Sequence, residues 1–207
     1  MGNEQSVNTL FLRLEGVLQS WGERGRWTVR DTSTIPTKSG VVGLLGAALG
    51  IHDDRLVALS NQLKMGVRVD KPGTVVLDYH TVTSGVMMAQ GGIKGGEGEE
   101  QTVVSHRFYL SGASFLVALR GEQATIEQLA DAVQNPVWFL YLGRHCCIPS
   151  APIYAGIGYY DDLLAALRVD NEQHQYEIEG GSTLRMDSIT SVPYRSFQAR
   201  CVTRLTG

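Results

Sequence analysis

Following Ser39 the chain runs through GVVGLLGAALGI, twelve residues without one charged side chain. Ser39 is placed to cap this segment as a helix, and a helix with no polar face has to be covered on every side. At about 100° per residue, Gly40, Gly43, Gly46 and Gly50 share one face with Ala47, and Val41, Val42, Leu45 and Leu49 occupy the other. The aliphatic side suits a sheet. The glycine side admits another stretch of backbone at close range.

With 207 residues, 43% hydrophobic and 19% charged, the chain can bury an ordinary core in one domain, or in one domain with a small appendage. No stretch reaches the roughly 18–20 apolar residues of a membrane span, and the start MGNEQSVN lacks the apolar core of a secretory signal, so a cytoplasmic protein with no membrane partner is expected. Cys146, Cys147 and Cys201 form neither a zinc spacing nor an even disulfide framework and are expected to be reduced core thiols. No cofactor or metal is implied, because no carboxylate cluster suggests magnesium and no His/Cys spacing suggests zinc. The net charge of −3 argues against a protein coated with nucleic acid, but bulk charge averages over faces and leaves room for a local basic strip.

Leu10, Leu12 and Leu14 alternate with Phe11 and Arg13, which predicts a half-buried first strand ended by Gly16. A long connection, Val17 to Ser39, carries Trp21, Trp27, Arg24, Arg26, Arg30 and Lys38, and exceeds a routine strand-to-helix loop. Asp53 and Asp54 open a second short helix, followed by a strand from Met65 to Asp70. The strand VVLDYHTV then leads into SGVMMAQGGIKGGEGEEQ, and the chain returns through TVVSHRFYL, which predicts a long hairpin with a glycine-rich tip at approximately 83–104. After the strand ASFLVALR, a helix from Thr125 to Gln134 is stopped by Asn135-Pro136. This alternation predicts an α+β, ferredoxin-like layer with extra hairpins over 1–149. A smaller C-terminal β-rich region over 150–207 is expected to pack on it, with a helix at Asp161 to Leu167 and strands at Tyr176 to Glu179 and Gln198 to Leu205.

Two readings stand for the start of the uncharged helix. Thr37, Lys38, Ser39 and Gly40 suit a phosphate site at a helix N-terminus, and equally a capped helix with a solvated lysine. Trp21 and Trp27, interleaved with Arg24, Arg26 and Arg30, suit single-stranded RNA or core packing. His80, His106 and Tyr79 raise the possibility of acid–base ribonuclease chemistry, against the plainer reading of packed strand histidines.

Taken in order, LRLEGVLQSWG, IPTKSGVVGLLGAALG, LDYHTV, RFYLSGASFLVAL and YLGRHCC followed by proline resemble the CasD family, and the resemblance extends to the late VPYRSFQARCV segment. That family belongs to the RAMP superfamily and supplies the guide-end subunit of the type I-E CRISPR Cascade. The resemblance implies a ferredoxin-like (RRM-like) domain with a protruding β-hairpin thumb, acting as a non-catalytic subunit of an antiviral ribonucleoprotein complex that holds the 5′ handle of the CRISPR RNA (crRNA). Its implied partners are that handle, the CasC backbone filament it caps, the CasA large subunit and, indirectly through the complex, target DNA.

Carried over residue by residue, the matching positions are Trp21-Gly22, Arg30, Pro36 to Gly40, Tyr79 and His80 at the thumb base, Arg107, and Tyr141 to Arg144. The RNA-binding expectation accordingly covers Trp21, Arg26, Arg30, Thr37, Lys38, Ser39, Gly40, His80, Arg107, Arg144 and His145. At the thumb tip Lys94 is the lone cation, and Met87, Met88 and Ile93 suit wedging against bases or a neighbouring subunit. Two rivals follow. One is a metal-independent endoribonuclease that processes precursor crRNA, as the related type I-C subunit does; the other is an adaptor that touches only protein.

Overall fold

The structure is a computed structural model and describes residues 7–22, 28–83, 102–168 and 175–178. In chain order the elements are β1 (Thr9–Glu15), β2 (Leu18–Gln19), β3 (Val29–Arg30), α1 (Lys38–Leu49), α2 (Asp54–Gln62), β4 (Lys64–Lys71) and β5 (Thr74–Thr83). They continue as β6 (Thr102–Ser111), β7 (Ser114–Arg120), α3 (Gln123–Gln134), β8 (Tyr154–Gly158), α4 (Leu163–Leu167) and β9 (Gln175–Ile178).

One antiparallel sheet has the order β8-β1-β7-β4-β9. Leaving β9 aside, β1-α1-β4-β7-α3-β8 is the β-α-β-β-α-β unit of the ferredoxin-like fold, with the thumb hairpin inserted between its second and third strands. Register explains the burial. Leu10, Leu12 and Leu14 stand opposite Leu119, Val117 and Phe115, so one face of the two central strands is wholly aliphatic or aromatic. Against that face pack Val41 and Leu45 of α1 and Ile126 and Leu129 of α3, which share one buried core with it.

The first strand departs from the half-buried expectation, because its second face is covered as well. Phe11, Leu116 and Ala118 form a second core with Leu163, Ala166 and Leu167 of α4, and the Tyr160 ring meets Phe11 edge-on at 5.4 Å. Arg68 ties this layer down: it is 5% exposed, pairs with Asp70 at 2.7 Å and donates to the Leu167 carbonyl at 3.2 Å. The described part of the expected C-terminal region therefore supplies both edge strands of the main sheet and a cover for its outer face, and 149/150 is no break in that sheet. The expected strand from Gln198 to Leu205 lies outside the described residues.

A second sheet is built on β6. Along one side it pairs with β5 over ten rungs, from Thr74 opposite Ser111 to Thr83 opposite Thr102. Along its other side it takes the antiparallel β2 and then the parallel β3. The long Val17 to Ser39 connection is thus spent lining one strand. The thumb tip, with Met87, Met88, Ile93 and Lys94, lies outside the described residues, as do Trp27, Arg24 and Arg26.

Helix α1 begins two residues earlier than its sequence suggested. Thr37, not Ser39, is the N-cap: its backbone is extended and its Oγ1 accepts the Gly40 N–H at 3.3 Å. The helix ends at Gly50, whose φ of 68° is the left-handed cap conformation that favours glycine.

Candidate nucleic-acid interface

Trp21 lies at the bottom of the site and is 1% exposed. Its indole N–H donates to Gln19 Oε1 at 3.0 Å, and the Gln19 amide in turn donates to the carbonyls of Leu14 and Ala113. The ring presses on the start of α1, where a Cβ at Gly40 would stand 2.8 Å from it. This corrects the expectation that Trp21 contacts RNA: a sealed indole cannot stack on a base. Its role is to seat the helix, and Gly40 is required by that contact.

Backbone bonds hold the connecting strand over this base. The Trp21 N–H donates to Thr32 Oγ1 at 2.9 Å, and the Ser33 N–H donates to the Trp21 carbonyl at 2.8 Å. Thr37, Lys38 and Ser39 then present the helix start, with Ser39 exposed and Lys38 half-buried.

Across β3, β6 and β5, Arg30 is registered with Arg107 and Arg107 with Asp78. Residues directly opposite in a sheet share a face, so the Arg30, Arg107 and Asp78 side chains leave the sheet on one face. Arg107 Nε donates to Ser105 Oγ at 3.2 Å. Two rungs further along and on the same face, His80 Nδ1 lies 3.7 Å from Asp78 Oδ2.

Arg144 occupies the centre. Its guanidinium donates to the carbonyls of Phe108 at 3.2 Å, Arg30 at 3.1 Å and Asp31 at 3.2 Å, and lies 4.6 Å from the Tyr109 ring centroid. A cation committed to three carbonyls and a ring is a clamp on the protein's own backbone. Tyr109, 35 residues away, gave no sign of this role in the sequence; only the fold brings the two together.

The turn carrying Arg144 packs on the same base. The Ser20 N–H donates to the Leu142 carbonyl at 3.0 Å, and a Cβ at Gly143 would stand 1.7 Å from the Ser20 carbonyl oxygen. Gly143 has a φ of 94°, a second reason for glycine there. His145 is exposed and stacks on Tyr141 with ring centroids 4.2 Å apart. A cleft of about 260 Å³ lies between this turn and α1, lined by Ser39, Gly40, Gly43 and Ala47 on one side and Tyr141 and Gly143 on the other.

The cysteine expectation divides. Cys147 is buried, and burial first, then the neighbouring Cys146, pushes its thiol from 9.0 up to about 11. Cys146 is exposed, with its Sγ 3.6 Å from the Tyr109 hydroxyl, so it is not a core thiol. Cys201 lies outside the described residues.

His80 and His106 do not converge. In the β5–β6 register His106 stands opposite Tyr79, and their rings meet edge-on at 5.5 Å. His80 is opposite Ser105, so it points to the other face of the hairpin. An acid–base pair made of these two histidines is therefore not formed.

Residues 9–203 match a family model described as CRISPR-associated protein (Cas_Cas5). The chain belongs to this family. A curated relative, the CRISPR system Cascade subunit CasD of Escherichia coli (strain K12), is 37% identical over 195 residues, covering 87% of this chain and 82% of the relative. Among solved structures, a chain of a CRISPR RNA-guided surveillance complex is 37% identical with a TM-score of 0.63, over 71% of this chain and 62% of that one. A crystal structure of a Cas protein is 42% identical with a TM-score of 0.57, over 77% of this chain and 68% of that one. This Cas5-type chain thus spans less than two thirds of the surveillance-complex chain and more than two thirds of the other two relatives.

Proposed function

We propose that this chain is a non-catalytic, cytoplasmic, guide-RNA-holding subunit of a Cascade-type CRISPR complex, and that it grips the 5′ handle of the crRNA at the start of α1 and along the Arg30–Arg107 row. One observation carries the reading: two arginines side by side on adjacent strands repel each other, and a bridging phosphate relieves that repulsion. The Arg144 clamp fixes the backbone on which Arg30 rides, so the pair is preset before RNA arrives.

The closed outer face of the main sheet supports the same location. RRM-type sheets stack bases on that face. Here Phe11 and Leu116 are sealed under α4, which turns attention to the helix start and the hairpin. The CasC and CasA neighbours would be met elsewhere on the chain, and target DNA is reached through the assembled complex. The thumb would meet the adjacent backbone subunit.

The test is reconstitution of the complex with its guide. Charge reversal by Arg30→Glu with Lys38→Glu is expected to strip the guide while the chain stays folded; unchanged guide retention would favour the protein-only adaptor. Incubation of the isolated chain with repeat RNA in EDTA is expected to leave the RNA intact, and specific cleavage lost on His80→Ala or His106→Ala would overturn the non-catalytic assignment.

A further inference from the structure

We propose that the cleft between α1 and the Tyr141–His145 turn receives a single unpaired nucleobase of the guide. This inference rests on the RNA-holding function proposed above and assigns a base-binding position to it.

Three features of the cleft fit a flat heterocycle. The α1 wall is low at its middle: it is made by Gly40, Gly43, Leu44 and Ala47, and at Gly43 a Cβ would find nothing within 4 Å, so the helix backbone there borders an open space. The opposite wall contains Tyr141, whose ring is already stacked on His145 at 4.2 Å with an interplanar angle of 26°. One ring face is thereby occupied and the ring's direction fixed, and the other face or edge is what a ligand meets. Aromatic walls of this kind contribute to base binding through stacking, which tolerates any base.

The turn is not a loose loop that closes the cleft by chance. The Trp138 N–H donates to the Ala47 carbonyl at 3.1 Å and the Val137 N–H to the Ala48 carbonyl at 2.9 Å, which anchors one end to α1. The Leu142 N–H donates to the Cys147 carbonyl at 2.7 Å, which closes the other end on itself. A preset wall costs little ordering on binding. The Ser39 hydroxyl and the helix start lie at one end of the same cleft, so the nucleotide's phosphate and its base would be held by neighbouring residues.

Gly43 gives a clean test. Leucine at this position grows into the open cleft, and helix propensity favours it over glycine, so the fold is kept or stabilised. In the reconstituted complex, Gly43→Leu and Tyr141→Ala are each expected to weaken guide binding about tenfold or more, consistent with loss of one stacked base. Tyr141→Phe is expected to bind like the parent. A guide carrying 2-aminopurine at successive unpaired handle positions is expected to show quenching at one position that Gly43→Leu releases.

Normal guide binding by Gly43→Leu, with loss in the Arg30→Glu and Lys38→Glu chain, would overturn the base cleft and leave the RNA-holding function standing. Normal binding by all of these variants would overturn both. Loss of a neighbouring protein subunit with full guide retention would assign the cleft to protein and overturn the proposal.

Discussion

The Arg144 guanidinium lies 4.6 Å from the Tyr109 ring centroid and bridges β6 to the end of β3. Its three acceptors come from β6 and from the end of β3, so the side chain fastens the Arg30 segment to the thumb hairpin. Arg144→Ala is expected to lower stability by about 2–3 kcal/mol, because it strands partly buried carbonyls as well as removing a charged donor. Arg144→Lys recovers only part, since an ammonium cannot reproduce the planar fork. Chemical denaturation of the variants measures this, and wild-type stability with selective loss of guide would make Arg144 a direct RNA ligand instead.

Gly143 admits no side chain. Its positive φ and the 1.7 Å approach of the Ser20 carbonyl to a would-be Cβ both act against alanine. Gly143→Ala is expected to cost about 2 kcal/mol or more and to loosen the whole turn. Gly112 has a φ of 68° with open space around it, so Gly112→Ala there should cost less. The difference between the two thermal midpoints separates steric exclusion from backbone strain alone.

If Arg30 and Arg107 each meet a phosphate, the salt dependence of guide binding carries their signature. Arg30→Gln or Arg107→Gln is expected to reduce the slope of log affinity against log salt by about 1 each. Fluorescence titrations at several salt concentrations give that slope. An unchanged slope for both variants counts against phosphate contact by the pair.

Cys147 makes the alkaline limb of stability predictable. Burial and its neighbour Cys146 hold the folded thiol at about 11 against an ordinary 9.0, so the unfolded chain releases its proton first. Stability contributed by the neutral thiol is complete below about pH 9 and is lost as pH rises toward about 11. Cys147→Ala flattens that decline. At neutral pH the exposed Cys146 is expected to react with a thiol reagent well before Cys147, as peptide mapping after brief alkylation would show.

Much of this architecture was legible in the linear chain. Alternation in β1, the uncharged α1, the apolar stripe of α3 and the paired strands around a glycine-rich tip are local patterns, set by periods of about 2 and 3.6 residues that need no knowledge of the rest. The helix start carrying Lys38 and the basic connection carrying Arg30 were visible as candidates for the same reason.

What the sequence by itself determined was the kind of element at each place and the stock of side chains able to meet an anion. Only the tertiary structure decided which of them are available. It buried Trp21 under Gly40, turned Arg144 inward onto Tyr109, set His80 and His106 on opposite faces, and sealed Phe11 beneath α4. These outcomes depend on contacts between residues far apart in the chain, and periodicity carries no information about which distant surface a given face will meet.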